Sequence, residues 1–283
     1  MAVDRTFENG LAQKFAPTYI SSSGEDRYLV ELEQEFIPKI SLGFPPWKPC
    51  IYFSVFKHKS RDDLDFYEIN YLSIWDRDTG GPLGAFGPHT WDTERTAILI
   101  KGPVGDMDFS SFEAEEAYFS AHEDEIFNFS TYQKPNDKNR GVTAYWSLGK
   151  HASYPSYPPE PIAIVDQIRQ PEQTAKPPDY FLNNAGNLSD PTDIAPWINF
   201  TEKWGPDGVN SVNSKLKCPI WSPKPSSSGW LQNKTKTIRN KDQVKLIQAS
   251  MGLEPNGVVD RDLFVMANNI SHESIRAILL THK

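Results

Sequence analysis

Apolar and polar positions along the chain mark strands first. Residues 51–56 (IYFSVF) and 67–75 (YEINYLSIW) are rich in aromatic and β-branched side chains, and 95–101 (RTAILIK) follows a turn-rich stretch, DTGGPLGAFGPH. Segments 117–122 (AYFSAH) and 142–148 (VTAYWSL) repeat the pattern, with turn clusters such as QKPNDKNRG between them. Short strands separated by Gly, Pro and Asn turns predict a mainly β protein, a sandwich or barrel, and not alternating β-α units. A short helix is predicted near 110–117, where SSFEAEEA supplies a serine cap and acidic first-turn residues. From 154 to about 235 the chain is punctuated by proline (YPSYPPEP, QPEQTAKPPDY, SPKPSSSG), which predicts long loops that wrap a scaffold and line a site.

The period changes after residue 238. DQVKLIQASMGL places Val244, Leu246, Ile247 and Met251 close to helical spacing, with Asp242 as an N-cap and Gly252 as a stop. EPNG then makes a turn, DRDLFVMANN forms a second helix, and Ser271 caps SHESIRAILL. The expected organisation is a β-sandwich over 1–237 that carries the site, and a small helical module over 238–283.

Composition narrows the function classes. The chain has 283 residues and 23 prolines, where average usage would give about 14. Proline interrupts helices and central strands, so short regular elements are expected over the first 230 residues. A net charge of −8 argues against a nucleic-acid partner, which needs a basic face. No apolar run reaches the roughly 18–20 residues of a membrane helix, so no transmembrane helix is expected, while peripheral membrane contact stays open. MAVDRTFENG lacks a basic region followed by an apolar one, so a cytoplasmic protein, or one exported by a signal-less route, is expected. Cys50 and Cys218 are too far apart for a CxxC motif, and are either two buried thiols or one bridge.

Candidate chemistry centres on PHTWDTERTAILIK, residues 88–101. Asp92 and Glu94 share a face of an extended strand, and His89 sits at the loop end. Such a set can share one divalent cation: carboxylate oxygens suit Ca²⁺, Mg²⁺ or Mn²⁺, and added imidazoles shift preference towards Mn²⁺, Zn²⁺ or Fe²⁺. His122 ends AYFSAH and His151 follows the strand VTAYWSL, so both fall at loop–strand junctions, as His89 does, and could converge with it on one end of a sandwich. Asp76 and Asp78, in IWDRDTGG, either add a carboxylate or make an ordinary Asx turn. Trp91 and Tyr154 are either walls for a sugar or rim packing. His58, in KHKSRDD, is expected in a solvated charge run. No G-x-S-x-G elbow, Walker loop, H-E-x-x-H helix or G-x-G-x-x-G turn is present, which disfavours serine nucleophiles and nucleotide cofactors.

The string H-x-x-D-x-E at 89–94, the aromatic-Ser-x-His ending at His122 and the HASYP at 151–155 together resemble proteins related to vacuolar protein sorting-associated protein 62. KFAPTY near the start, PWINFTEKWG with Trp197, Trp204 and Gly205, and CPIW extend that resemblance over roughly residues 14–222. The H-x-x-D-x-E core is also similar to the heptapeptide of necrosis- and ethylene-inducing peptide-like proteins. That likeness implies a β-sandwich cytolysin that holds a divalent cation with these acids and recognises sphingolipid headgroups. Thr90, Trp91 and Thr93 depart from the usual H-E-G-D-W-E string, while His89, Asp92 and Glu94 stand. At the C-terminus, Gln248, Gly252, Pro255, Asn256, Gly257 and Val258 resemble the repeat of peptidoglycan-binding-like modules, with a helical cap or dimer element as the alternative.

Two functions are therefore expected. In the first, a metal on Asp92, Glu94, His89 and Asp78 activates water or polarises an oxygen, with His122, His151 or His89 as acid or base and Trp91, Tyr154 and Asp76 against a glycan, glycolipid or phosphoester. In the second, the same cation docks a glycan or lipid headgroup without chemistry, as a binding protein or cytolytic toxin does.

Overall fold

The computed structural model describes residues 5–25, 29, 50–79, 88–122, 130–159, 166–186, 220–221, 241–257 and 263. In chain order the elements are α1 (Arg5–Lys14), β1 (Thr18–Ser22), β2 (Cys50–Lys57), β3 (Leu64–Asp78), β4 (His89–Pro103), β5 (Glu113–Phe119), β6 (Thr131–Gln133), β7 (Thr143–Trp146), β8 (Ser153–Tyr154), β9 (Pro171–Ala175), β10 (Phe181–Asn184) and α2 (Lys241–Ser250). One sheet has the order β10-β2-β3-β4-β5-β6 and the other β8-β7-β1-β9. The protein is mainly β, a two-sheet sandwich as expected.

The core lies between the sheets. Ile51, Phe53 and Val55 of β2, Tyr67, Ile69, Tyr71 and Trp75 of β3, and Ile98 and Ile100 of β4 meet Tyr19, Ala144 and Trp146 of the smaller sheet. Trp146 stacks on Tyr19 at 4.2 Å and takes Trp75 edge-on at 4.7 Å. The opposite face of the large sheet is covered too, because Ala97 and Tyr118 pack with Ile220. Buried Glu68 fastens that cover by accepting the backbone N–H groups of Ile220 and Trp221 at 2.6 and 3.2 Å. His58, expected in solvent, lies 3.0 Å from the same carboxylate.

Four expectations are corrected. The strands β3 and β4 run 15 residues each, because the proline surplus lies outside them: Pro82 and Pro88 fall in their connection and Pro103 ends β4. The helix expected at 110–117 is instead a single 3-10 turn, Phe109–Ser111, followed by strand β5. A β-bulge explains the mistaken period. The register pairs Ile100 with Ala114 and Leu99 with Glu116, so Glu115 is an extra residue. Ala114 and Ala117 both reach the core at a spacing of three, which in sequence looks helical. The proline-rich stretch after 154 holds two strands, β9 and β10, at sheet edges. Their side chains are largely exposed or half-buried, so they carry no apolar alternation, and Pro171 is tolerated as the first residue of an edge strand. Finally, α2 starts at Lys241, which puts Asp242 inside the first turn and not at the cap.

At the N-terminus α1, not foreseen, buries Phe7 and Leu11 on one face, while Lys14 Nζ donates to the carbonyls of Phe109, Ser110 and Phe112. Near the C-terminus, Gln248 holds the EPNG turn by donating to Asn256 and accepting from Gly257 N at 2.8 Å each. The 237/238 boundary, Cys218, the Trp197–Gly205 segment and the two last helices, apart from helical Leu263, lie outside the described residues. Cys50 is buried. Among the described residues, no helix is long and apolar enough to cross a membrane.

Candidate cation site

The end of the β3–β4 pair places three of the candidate ligands together. Asp78 and His89 are cross-strand partners, and Asp92 is opposite Trp75. In a regular strand, residues 89 and 92 would face opposite ways. Trp91 sits between them with φ +62°, a left-handed backbone that interrupts the alternation. His89 Nε2 thereby comes within 3.8 Å of Asp92 Oδ1, and His89 Nδ1 within 3.8 Å of Asp78 Oδ2. One ligand atom from each of the three residues lies within 4.8 Å of the others. Donors around a six-coordinate ion at about 2.0–2.6 Å are roughly 3–5 Å apart, so this set suits a divalent cation after slight contraction.

A second segment supplies the positive charges. The turn between β7 and β8 is bolted to the end of β3: Thr79 N donates to Gly149 O at 2.7 Å, and Gly149 N donates to Glu25 at 2.8 Å. Gly149 has φ +66°, and a Cβ there would meet Thr79 Oγ1 at 2.3 Å, so only glycine fits. This turn delivers Lys150 Nζ to Asp78 Oδ2 at 2.7 Å, and His151 Nδ1 to Asp92 Oδ2 at 3.0 Å. His151 is fully buried, lies flat on Trp75 at 4.0 Å, and has Glu25 Oε2 3.7 Å from Nε2.

Burial alone would depress the His151 pKa, but hydrogen bonds and charge from Asp92 and Glu25 outweigh it and raise it to about 9. At neutral pH the ring is therefore an imidazolium, able to donate a proton but not to accept one. Because the folded value lies above the ordinary 6.5, the stabilisation is complete below about pH 6.5 and disappears as pH rises through about 9. Urea unfolding followed from pH 6 to pH 10 is expected to lose roughly 3 kcal/mol from this group, and His151→Gln to remove most of that slope.

The remaining candidates form a neighbouring group. Glu94 accepts a hydrogen bond from Ser120 Oγ and does not join the three-residue set. Ser120 O accepts from Ser153 N at 2.7 Å, which ties β8 to this strand. His122 Nε2 lies 2.9 Å from Asp166 Oδ2, and the Tyr154 hydroxyl donates to the same oxygen. Tyr154 and Trp91, expected against a ligand, are both buried, while Asp76 is half-buried.

Three of the five non-glycine residues with left-handed φ among those described are Trp91, His122 and His151. The other two, Asp62 and Asp63, form the tight tip between β2 and β3, where such angles are ordinary. Trp91 is the outlier among them, a bulky residue in a conformation that costs about 1–3 kcal/mol, whereas histidine adopts it more readily. Lys150, Glu25 and Asp166 were not among the sequence candidates. Lys150 abuts the HASYP string, which offered a signal; Glu25 and Asp166 come from distant loops and offered none.

No protein-family profile matches the chain, and no curated protein matches it significantly. Among solved structures, NLPPya in complex with mannosamine aligns over 62% of this chain and 72% of that one, at 15% identity and a TM-score of 0.33. NLPPya, a weak structural neighbour, is a necrosis- and ethylene-inducing peptide-like protein; the vacuolar sorting resemblance finds no such counterpart.

Proposed function

We propose that the protein binds a neutral, hydroxyl-rich ligand, a glycan or the glycan headgroup of a lipid, through a divalent cation on Asp78, His89 and Asp92. The observation that carries this reading is the convergence of those three ligand atoms within 4.8 Å. Burial grades outward across the set: the side chains of Asp78 and Asp92 are 4% and 11% exposed, and that of His89 is 29%. An ion seated there is held from inside by carboxylates and reached from outside past His89. Two oxygens and one imidazole nitrogen suit Ca²⁺, Mg²⁺ or Mn²⁺, and three protein donors leave positions for ligand oxygens. Vicinal hydroxyls fill those positions without adding negative charge, which a chain of net charge −8 would repel.

A hydrolase acting on the same ligands is the second reading, and the His122–Asp166 contact favours it. A carboxylate that orients an imidazole is half of a general-base dyad. We assign that role to His122 ahead of His151, whose two ring nitrogens already face Asp92 and Glu25, which raise its pKa.

The test is binding of the full chain to a glycan panel and to glycolipid-bearing and glycolipid-free vesicles, with Ca²⁺, Mg²⁺, Mn²⁺ or EDTA, while cleavage products are monitored. Binding that needs a divalent cation, is lost in EDTA and is lost in Asp92→Asn supports the proposal. Product release that depends on His122 moves the assignment to the hydrolase. Glycan binding indifferent to EDTA removes the cation from both readings.

A further inference from the structure

A second concave site lies away from the cation. At the open edge of the sandwich, between β5 and β6 of the large sheet and β1 and β7 of the small one, is a cavity of about 270 Å³. Ala117 and Phe119 of β5, with Pro155, give it an apolar wall. Thr18 and Thr143, cross-strand partners on β1 and β7, bring hydroxyls to the lining, and Gln133 and Asn136 bring amides. The volume is just below the roughly 300–1,000 Å³ of sites for drug-sized ligands, so it suits a single sugar-sized molecule.

The rim is the turn cluster QKPNDKNRG, whose charge opposes that of the whole chain. Residues 134–140 carry Lys134, Lys138 and Arg140 against Asp137, in a protein of net charge −8. Asp137 is committed within the loop: Oδ1 accepts from Asn139 N and Oδ2 faces Arg140 Nε, at 2.9 Å each. The terminal nitrogens of the Arg140 fork and the Lys134 ammonium are left for a ligand, and both residues line the cavity. A hydrogen bond from Lys101, with the charges of Lys134 and Lys138, holds the Glu115 carboxyl on β5 below its ordinary range, so the positive field extends beyond the loop. The loop is also fixed in place. Ala114 N donates to Lys138 O at 2.7 Å, and Thr18 N to Val142 O at 2.8 Å. A Cβ on Gly141 would meet Ala16 O at 2.0 Å, so the chain lies pressed against the residues that lead into β1. Little ordering is left for a ligand to impose.

We infer that this cavity binds a small polyhydroxy anion, a sugar-sized molecule bearing one carboxylate or phosphate, independently of the cation site. The anionic group meets Arg140 and Lys134. Its hydroxyls meet the threonines and amides, each of which both donates and accepts. A neutral sugar forgoes the charge-assisted bonds, which are the stronger ones. A long polyanion such as a nucleic acid would need a basic face that extends well past this one loop.

Glucuronate, glucose 6-phosphate and glucose, each titrated into the full-length protein in EDTA and followed by calorimetry and ¹H–¹⁵N spectra, test the inference. The better of the two anions is expected to bind about tenfold or more tightly than glucose, and to shift the signals of Gln133, Asn136 and Gly141. Which anion that is identifies the charged group as carboxylate or phosphate. Lys134 and Arg140 are exposed, so Lys134→Gln and Arg140→Gln should fold normally, and each should weaken that anion about fivefold. Glucose that binds as tightly as both anions overturns the inference. So does anion binding that both variants retain in full, a set of shifts confined to residues remote from the cavity, or no binding of any of the three. None of these outcomes bears on Asp78, His89 and Asp92, because EDTA removes divalent ions from every titration.

Discussion

Asp92→Ala is expected to weaken Mn²⁺ binding at least a hundredfold and to lower stability by about 3–5 kcal/mol. Both effects follow from the two oxygens of one side chain. Oδ1 faces His89 in the three-residue set, so its removal leaves only two ligands for the ion. Oδ2 lies 3.0 Å from the ring of His151, which is fully buried and held protonated. Truncation leaves that imidazolium with Glu25 at 3.7 Å as its remaining counter-charge. Calorimetric titration with Mn²⁺ and urea unfolding at pH 7 measure the two losses. Asp92→Asn separates them, because the amide keeps an acceptor for His151 but removes the charge: metal binding should be lost and stability fall less. Glu94→Gln serves as the control on the same strand face. Its carboxylate is engaged by Ser120, so Mn²⁺ affinity should change only a few-fold. Unchanged stability in Asp92→Ala would mean that the buried charge pair does not exist.

What was legible in the sequence follows from what each residue senses. The strands β2, β3, β4 and β7 are central or two-sided and advertise themselves through aromatic and β-branched runs. The strands β9 and β10 are held by backbone hydrogen bonds at sheet edges, and nothing in PEQTA or FLNN states that. In β5 the bulge converted a strand into a pattern with a helical spacing. At the site, His89 and Asp92 stood out because their chemistry is compressed into six residues, and Asp78 because it repeats an Asp two positions on. Their convergence was not legible, since it depends on a left-handed Trp91, a conformation that a bulky side chain disfavours and its sequence neighbours do not signal. The charges set against these acids were harder still. Lys150 reaches Asp78 across 72 residues, and Glu25 accepts from Gly149 across 124.

Trp75→Ala should cost about 3–5 kcal/mol and, unlike other large-to-small changes in the core, should also weaken Mn²⁺ binding about tenfold. Trp75 is 3% exposed and its ring does two jobs. One edge closes the core against Trp146 at 4.7 Å, so truncation opens a cavity between the sheets. Its face lies parallel to His151 at 4.0 Å and 7°, where a desolvated cation over an indole is worth about 2 kcal/mol. Remove that wall and the imidazolium no longer has one place to stand, so Asp92 loses the partner that fixes its carboxylate towards His89. Trp75→Phe keeps an aromatic face and discards an indole N–H that has no hydrogen-bond partner among the described residues, so it should lose a smaller part of the stability and retain most of the Mn²⁺ affinity. A Trp75→Ala protein that is destabilised yet binds Mn²⁺ as before would show that the stack serves the core alone. If affinity falls with it and returns with phenylalanine, the hydrophobic core of the sandwich extends functionally to the cation through one imidazole ring.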